Sequence, residues 1–430
     1  MTRKLFQYTI LLLSLAACKV EPIEDPNNPG AGTIATNASL SEIQNLVDGT
    51  ESAMRDNLGN YYDDVSVIGR EYYRFSTSDP RFTSDLLGKE TAQLDSNTFY
   101  ITNPYGARYR AIKNTNILID ALTNTKAEVT DAQRKAGIAY ANTIQAYQLL
   151  IVYNLLYDNG LRVDVKDPDH LGPFLPREDA INAISSLLDA ADGDLKNNDT
   201  TFPFTTTLYS SKAAEFSKFN RALAARVDIY KQDWAAAGTA LSQSFLDLNG
   251  DLNAGVFHLF SAAGNDQLNP VYFPQNSSGE TRVAQPLFVS EAEAGDKRLS
   301  KVSKRITKEF QDGLESDYDF FLYKSNTAPI AIIRNEELVL IYAEVNAQTG
   351  NSGEAVKAIN IIRNAAGLKN YSGGTDKESL INEILKQRRY SLYGEGHRWI
   401  DLRRYNRLNE LPIDRPNDDV WKQFPIPANE

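Results

Sequence analysis

The sequence predicts a mainly α fold, a scaffold of paired helices interrupted by irregular loop-rich insertions with few short strands. Three observations carry that expectation. Apolar residues recur at three-and-four spacing through several long segments, two helical pairs share one internal spacing, and strand-like alternation is sparse. The first periodic segment runs from Tyr105 to Thr123 and carries Tyr109, Ile112, Asn116 and Ile119 on one face. Asp131 to Tyr157 is longer, with Ile144, Tyr147, Ile151 and Leu155 in a stripe and Ala136, Ala139 and Ala146 allowing close approach. Glu178 to Asn197 repeats the pattern through Ile181, Ile184, Leu188 and Leu195. Asp376 to Leu392 opens with Thr375 and Glu378 at capping-box spacing and buries Ile381, Ile384 and Leu385. The clearest short strand is Ile330 to Ile333.

The repeated spacing lies in two places. Leu223, Ala225 and Val227, then Ala237 and Leu241, match Ile341, Ala343 and Val345, then Ala355 and Ile359. Each set reads as a helix, a polar turn and a returning helix with alanine at the crossing, which resembles the tetratricopeptide pattern. A loop-rich stretch from Gly250 to Asp319 separates them, so a regular solenoid is not expected.

The N-terminus is a separate matter. Arg3 and Lys4 precede a mostly apolar run from Leu5 to Ala17, and Leu15-Ala16-Ala17-Cys18 follows. The run is too short to span a bilayer, and Leu-Ala-Ala-Cys resembles the lipobox of bacterial lipoproteins. Residues 1–17 then form a signal peptide, Cys18 carries the lipid, and residues 18–38 form a tether rich in proline, acid and asparagine. The body would be residues 39–430. With its single cysteine acylated, the mature chain has no disulfide and must hold together by packing, for which 42% hydrophobic residues suffice. Removing Arg3 and Lys4 takes the formal charge from −11 to −13, which argues against nucleic acid or anionic lipid as partner.

Catalytic and metal patterns are weak. His170, His258 and His397 form no HExxH arrangement, and neither a Gly-x-Ser-x-Gly elbow nor a phosphate loop occurs. Neither cofactor nor metal is expected. Asp63-Asp64 and Asp418-Asp419 offer carboxylate pairs of the kind a glycoside hydrolase uses, although adjacent acids in loops are usually only solvated. Asp247, Asn249, Asp251 and Asn253 alternate as calcium-loop ligands do. Leu252 stands where an EF-hand has glycine, and a polar turn is the stronger reading.

The C-terminal third carries a specific resemblance. The run from Arg388-Arg389-Tyr390 through Gly394-Glu395-Gly396-His397-Arg398-Trp399 to Asp401-Leu402-Arg403-Arg404 is similar to the C-terminal signature of the SusD/RagB family. Phe424-Pro425-Ile426-Pro427 resembles that family's closing motif. Arg334 with Glu336-Glu337, Ala343-Glu344, and Ile361-Ile362-Arg363 with Gly367-Leu368 match its helical segments. The family-signature region spans about 270–430, and the wider likeness begins near Tyr105. The resemblance implies a SusD-like fold and a nutrient-binding outer-membrane lipoprotein of Bacteroidota, facing the cell exterior. It also implies transfer of saccharide or peptide to a SusC-like TonB-dependent transporter without catalysis. A lipid-anchored hydrolase and an envelope scaffold are the alternatives.

Within the signature, five arginines with Glu395 and Asp401 surround Trp399, a density suited to tying the C-terminal segment onto the helices it crosses. Gly394 and Gly396 permit a turn after the helix. Outside the helices, aromatic residues crowd two polar stretches, and aromatic faces beside hydrogen-bonding groups suit sugar rings or peptide side chains. Tyr72, Tyr73, Phe75, Arg81 and Asn103 are the ligand-binding residues expected from the first stretch.

Overall fold

The computed structural model describes residues 36–428 and 430. The expected signal peptide, Cys18 and most of the tether lie outside them. At the tether's end the chain is already docked: Ala38 is buried and its carbonyl accepts from the Thr125 hydroxyl.

In chain order the elements are α1 (Leu40–Ala53), α2 (Leu58–Ile68), β1 (Tyr72–Ser76), α3 (Phe99–Asn124), α4 (Asp131–Leu156), β2 (Leu161–Arg162), β3 (Phe174–Leu175), α5 (Arg177–Leu195), α6 (Ala213–Lys231) and α7 (Trp234–Gln243). Then follow β4 (Gly255–His258), β5 (Glu280–Ala284), α8 (Leu287–Ser290), β6 (Val302–Gln311), β7 (Leu314–Phe320) and β8 (Ile330–Arg334). The chain closes through α9 (Asn335–Gln348), α10 (Ser352–Ala365), α11 (Lys377–Ser391) and α12 (Arg398–Arg404).

Consecutive helices pack side by side from α3 through α7, and α9, α10 and α11 pack on one another. The two repeats, distant in sequence, meet in space, because α9 packs against both α6 and α7. Every residue of the shared spacing is buried, from Leu223 to Ile359. The structure is therefore the expected mainly α scaffold.

Local chemistry accounts for where helices begin. Thr130 and Gln133 form a capping box on α4, and Ser39 and Glu42 form one on α1. The cap of α11 differs from expectation. Asp376, not Thr375, accepts from the Ser379 amide at 3.0 Å and from its hydroxyl at 2.6 Å. A carboxylate beside Thr375 is the stronger acceptor for exposed N–H groups at a positive helix end. Helix α3 starts six residues earlier than Tyr105, because Pro104 lies in its second turn and removes only one bond near the N-terminus.

The loop-rich stretch holds more strand than expected. The strands β1, β5, β7 and β6 make a four-stranded antiparallel sheet in that order, and β4 pairs with β8. Asp312 (φ 54°) and Gly313 (φ 80°) connect β6 to β7, the left-handed pair that a two-residue hairpin turn demands.

The C-terminal signature ties these parts together. Asp401 accepts from Arg388 at 2.6 Å and Arg404 at 3.0 Å, and Arg404 reaches Glu344 of α9. Arg334 forks onto Glu395 at 2.8 and 3.1 Å. Arg403 donates to the carbonyls of Asn154 and Lys422, both at 2.9 Å, with its guanidinium 4.4 Å over Trp399. Arg389 pairs with Glu291, and Arg398 donates to the Arg70 carbonyl. Gly394 (φ 73°) turns the chain where a Cβ would lie 2.4 Å from the Phe320 ring. Gly396 turns it again (φ 79°).

His258 is buried against Tyr147, and burial with Arg108 and Arg55 nearby pulls its pKa from 6.5 to about 3. It stays neutral in the fold while the unfolded chain takes a proton below pH 6.5, so stability falls as pH drops through that value. At pH 5 this one group removes about 2 kcal/mol relative to pH 7. Denaturant unfolding of His258→Gln should show a pH 7 to 5 loss smaller by about that amount than in the parent.

Candidate functional site

The aromatic stretch around β1 is structural. Tyr72, Tyr73 and Phe75 are 0%, 2% and 0% exposed, which corrects the expectation that they face a ligand. Tyr72 packs 4.7 Å from Phe320, and its hydroxyl donates to Asp63 at 3.0 Å. Tyr73 and Phe75 stack on each other at 5.8 Å. Their alternation with polar residues reflects pairing of β1 with β5, not an open platform. Arg81 and Asn103 do reach the surface. Arg81 forks onto Asp79 at 2.9 and 2.6 Å and lies 4.9 Å over Phe99. Asn103 is exposed one turn beyond Phe99 on α3.

One acid of each pair is occupied by an arginine, while both oxygens of Asp64 are buried without a hydrogen-bond partner. Asp63 receives a two-toothed bond from Arg282 at 2.6 and 2.7 Å, while burial and Asp63 push the pKa of fully buried Asp64 well up. Asp418 is held by Arg415 at 3.0 Å. In the alternating acidic loop, Asp247 and Asp251 accept backbone N–H from Asn249 and Asn253 at 2.8 and 2.9 Å, and their carbonyls take the Asn335 amide. That is a braced polar turn. Among the described residues, no group of three or more His, Cys, Asp or Glu is placed to hold a metal.

A wide groove of about 860 Å³ lies instead where the end of α4, the start of α5 and the α6–α7 turn converge. Its aromatic lining is Tyr153, Tyr157, Tyr230 and Trp234, and its polar lining includes Arg177, Glu178, Asn182 and Asp233. Tyr153 near the end of α4 and Tyr157 just beyond it are committed. Tyr157 adopts φ 44° and ψ −107°, a region that non-glycine residues avoid, and its ring carries Arg403 at 4.0 Å and Arg177 at 4.9 Å. Tyr153 packs edge-on against it.

Trp234 differs. It is half-buried as the first residue of α7, positioned by the Asp233 cap, which accepts from Ala236 at 3.0 Å. Trp399 and Trp421 donate their indole N–H to the carbonyls of Trp421 and Asp85, both at 2.7 Å. Trp234 has no such bond, ring partner or cation above it among the described residues. The groove thus offers an indole flanked by carboxylates, an amide and a guanidinium, which can stack on an apolar ring face while bonding to hydroxyls at its edge. Sequence reasoning passed over Trp234 because it falls inside the repeat. The available signal was a tryptophan directly behind the polar turn Lys231-Gln232-Asp233.

Comparison with known proteins agrees with this architecture. The sequence model of the SusD family matches residues 300–425. The SusD-like protein P38 of Formosa agariphila is 34% identical over 117 residues, and that match spans 23% of each chain. A SusD superfamily protein from Bacteroides vulgatus superposes with a TM-score of 0.67 at 16% identity, covering 91% of this chain and 96% of its own. Surface glycan-binding protein A from Bacteroides thetaiotaomicron gives 0.69 at 15% identity, covering 92% and 97%. The structure of that protein in complex with laminarihexaose also gives 0.69 at 15% identity, over 90% and 96%. The matched stretch begins just before β6 and takes in the whole arginine-rich signature around Trp399, so the C-terminal segment is similar to the SusD family, and the fold of those structures is shared over nine-tenths of the chain.

Proposed function

We propose that this protein is a lipid-anchored surface receptor that captures saccharide in the Trp234 groove and passes it, unaltered, to a TonB-dependent outer-membrane transporter. The half-buried indole of Trp234, lining a polar groove without a hydrogen bond or ring partner among the described residues, is the observation that carries the reading. The laminarihexaose complex of a protein with the same fold supports the ligand class. Lipidation at Cys18 and the transporter partner rest on the lipobox and on the family resemblance. No helix among the described residues is long and apolar enough to cross a membrane, which fits a body held by lipid. Arg81 and Asn103 would provide a second polar contact on the loop face.

Affinity electrophoresis through gels holding a panel of polysaccharides tests the reading. At least one glycan should retard the wild type. Trp234→Ala should then lose at least about 2 kcal/mol of binding, roughly thirtyfold, as a central aromatic anchor does. Its melting temperature should fall less than that of Trp399→Ala, because Trp234 is half-buried where Trp399 is fully buried. Binding is compared at a temperature where wild type and variant are both folded. Equal retardation of variant and wild type would remove Trp234 from the site.

A further inference from the structure

A second cavity, of about 310 Å³, lies on the far side of the C-terminal signature, between α11, α12 and the segment around α8. Leu287, Leu385, Leu402 and Pro412 give it apolar walls. Four cations and three carboxylates also line it, and their pairing is uneven. Asp401 is taken by Arg388 and Arg404, Glu410 by Arg407 at 2.5 Å, and Glu291 by Arg389 at 2.5 Å. Lys386 turns to Glu293 at 2.8 Å. Arg398 is left over.

Among the described residues no carboxylate lies within 4.0 Å of the Arg398 guanidinium, and its one hydrogen bond runs from Nη1 to the Arg70 carbonyl at 2.8 Å. The remaining N–H groups are neither bonded nor sealed from the cavity. Burial and the neighbouring Arg389 pull the Arg398 pKa down to about 9, against the opposing pull of Glu71 and Glu291, which lie too far away to pair with it directly. Yet a guanidinium presents a planar fork that matches the two oxygens of a carboxylate or sulfate. In a partly desolvated cavity that pairing is stronger than at the surface. Asn382 and Arg407 at the rim, bonded to each other at 2.6 Å, add polar groups for the remainder of a ligand.

We propose that this cavity is an oxyanion site that receives the carboxylate or sulfate group of an acidic sugar residue, with the Arg398 guanidinium as its fork. The proposal rests on the saccharide-binding reading and deepens it, by giving the bound glycan a negative charge.

The test is calorimetric titration and thermal unfolding of the mature chain with glucuronate, glucose 6-sulfate and neutral glucose, at ionic strength fixed with sodium chloride. Binding and a rise in melting temperature are expected with glucuronate, the sulfate ester or both, and neither is expected with glucose. Whichever charged probe acts identifies the group recognised. Arg398→Gln should weaken that binding at least tenfold, and Arg398→Lys should recover only part of it, since an ammonium lacks the fork. Trp234→Ala should leave the monosaccharide response intact, which separates this cavity from the groove. An equal response to glucose and to both charged probes, or no response to any, overturns the proposal, and the wild-type comparison does so even if the arginine variants fold poorly. Undiminished binding by a folded Arg398→Gln overturns it as well.

Discussion

Trp399→Ala is expected to destabilise the protein by about 3–5 kcal/mol, read as a drop in the denaturant midpoint without a change in slope. Trp399 is fully buried, donates its indole N–H to the Trp421 carbonyl at 2.7 Å and meets Phe424 edge-on at 6.0 Å. It also fills the space above Gly69, where an added Cβ would already lie 3.3 Å from the Trp399 side chain. Truncation opens a cavity among α2, α12 and the C-terminal segment and leaves Arg403 without the ring beneath it. Any loss of glycan binding in this variant should follow the unfolded fraction. A thermally silent Trp399→Ala would mean that the signature does not hold the fold together.

Glu337→Ala should cost a similar amount, about 3–5 kcal/mol, for an electrostatic reason. Glu337 takes both arms of Arg226, at 2.7 and 2.5 Å, and each side chain is almost wholly shielded from solvent. Removing the carboxylate leaves an almost wholly buried guanidinium with only the Ile332 carbonyl, at 2.6 Å. The double change Arg226→Met with Glu337→Leu should restore most of the loss, since replacing a whole buried pair by apolar volume is often neutral. Opposing Arg226, the Glu337 carboxyl titrates at about 2 instead of 4.5. Its stabilisation is therefore complete above pH 4.5 and drains away as pH falls toward 2. Unfolding measured at pH 7 and pH 3 should show the variant and wild type converging at the lower value.

The scaffold was legible because helical periodicity reports directly on burial. Ile144, Ile184, Leu223 and Ile341 all lie in the core the spacing assigns them. The bracing role of Arg388, Arg389, Arg403 and Arg404 was legible too, since guanidiniums at that density beside carboxylates and carbonyls tie packed segments together. Strand content was harder to read. The segment from Val302 to Gln311 is mostly polar and its pairing is non-local, although Asp312-Gly313 signals the hairpin turn. The ligand-facing aromatics were not legible at all. Tyr72, Tyr73 and Phe75 resemble exposed platforms in composition, but β5 and Phe320 cover them. Trp234, embedded in a repeat that reads as core, is only half-buried and lines the groove. Composition reports residue type, and only tertiary packing decides which aromatic is left open.

The most direct measurement is titration of a retained oligosaccharide into wild type and Trp234→Ala, followed by chromatography of the sugar after prolonged incubation. Capture at the Trp234 groove without turnover predicts saturable heat for wild type, binding weakened by roughly thirtyfold in the variant, and sugar recovered at its original length. Shorter products from wild type, or equal binding by the folded variant, would contradict it.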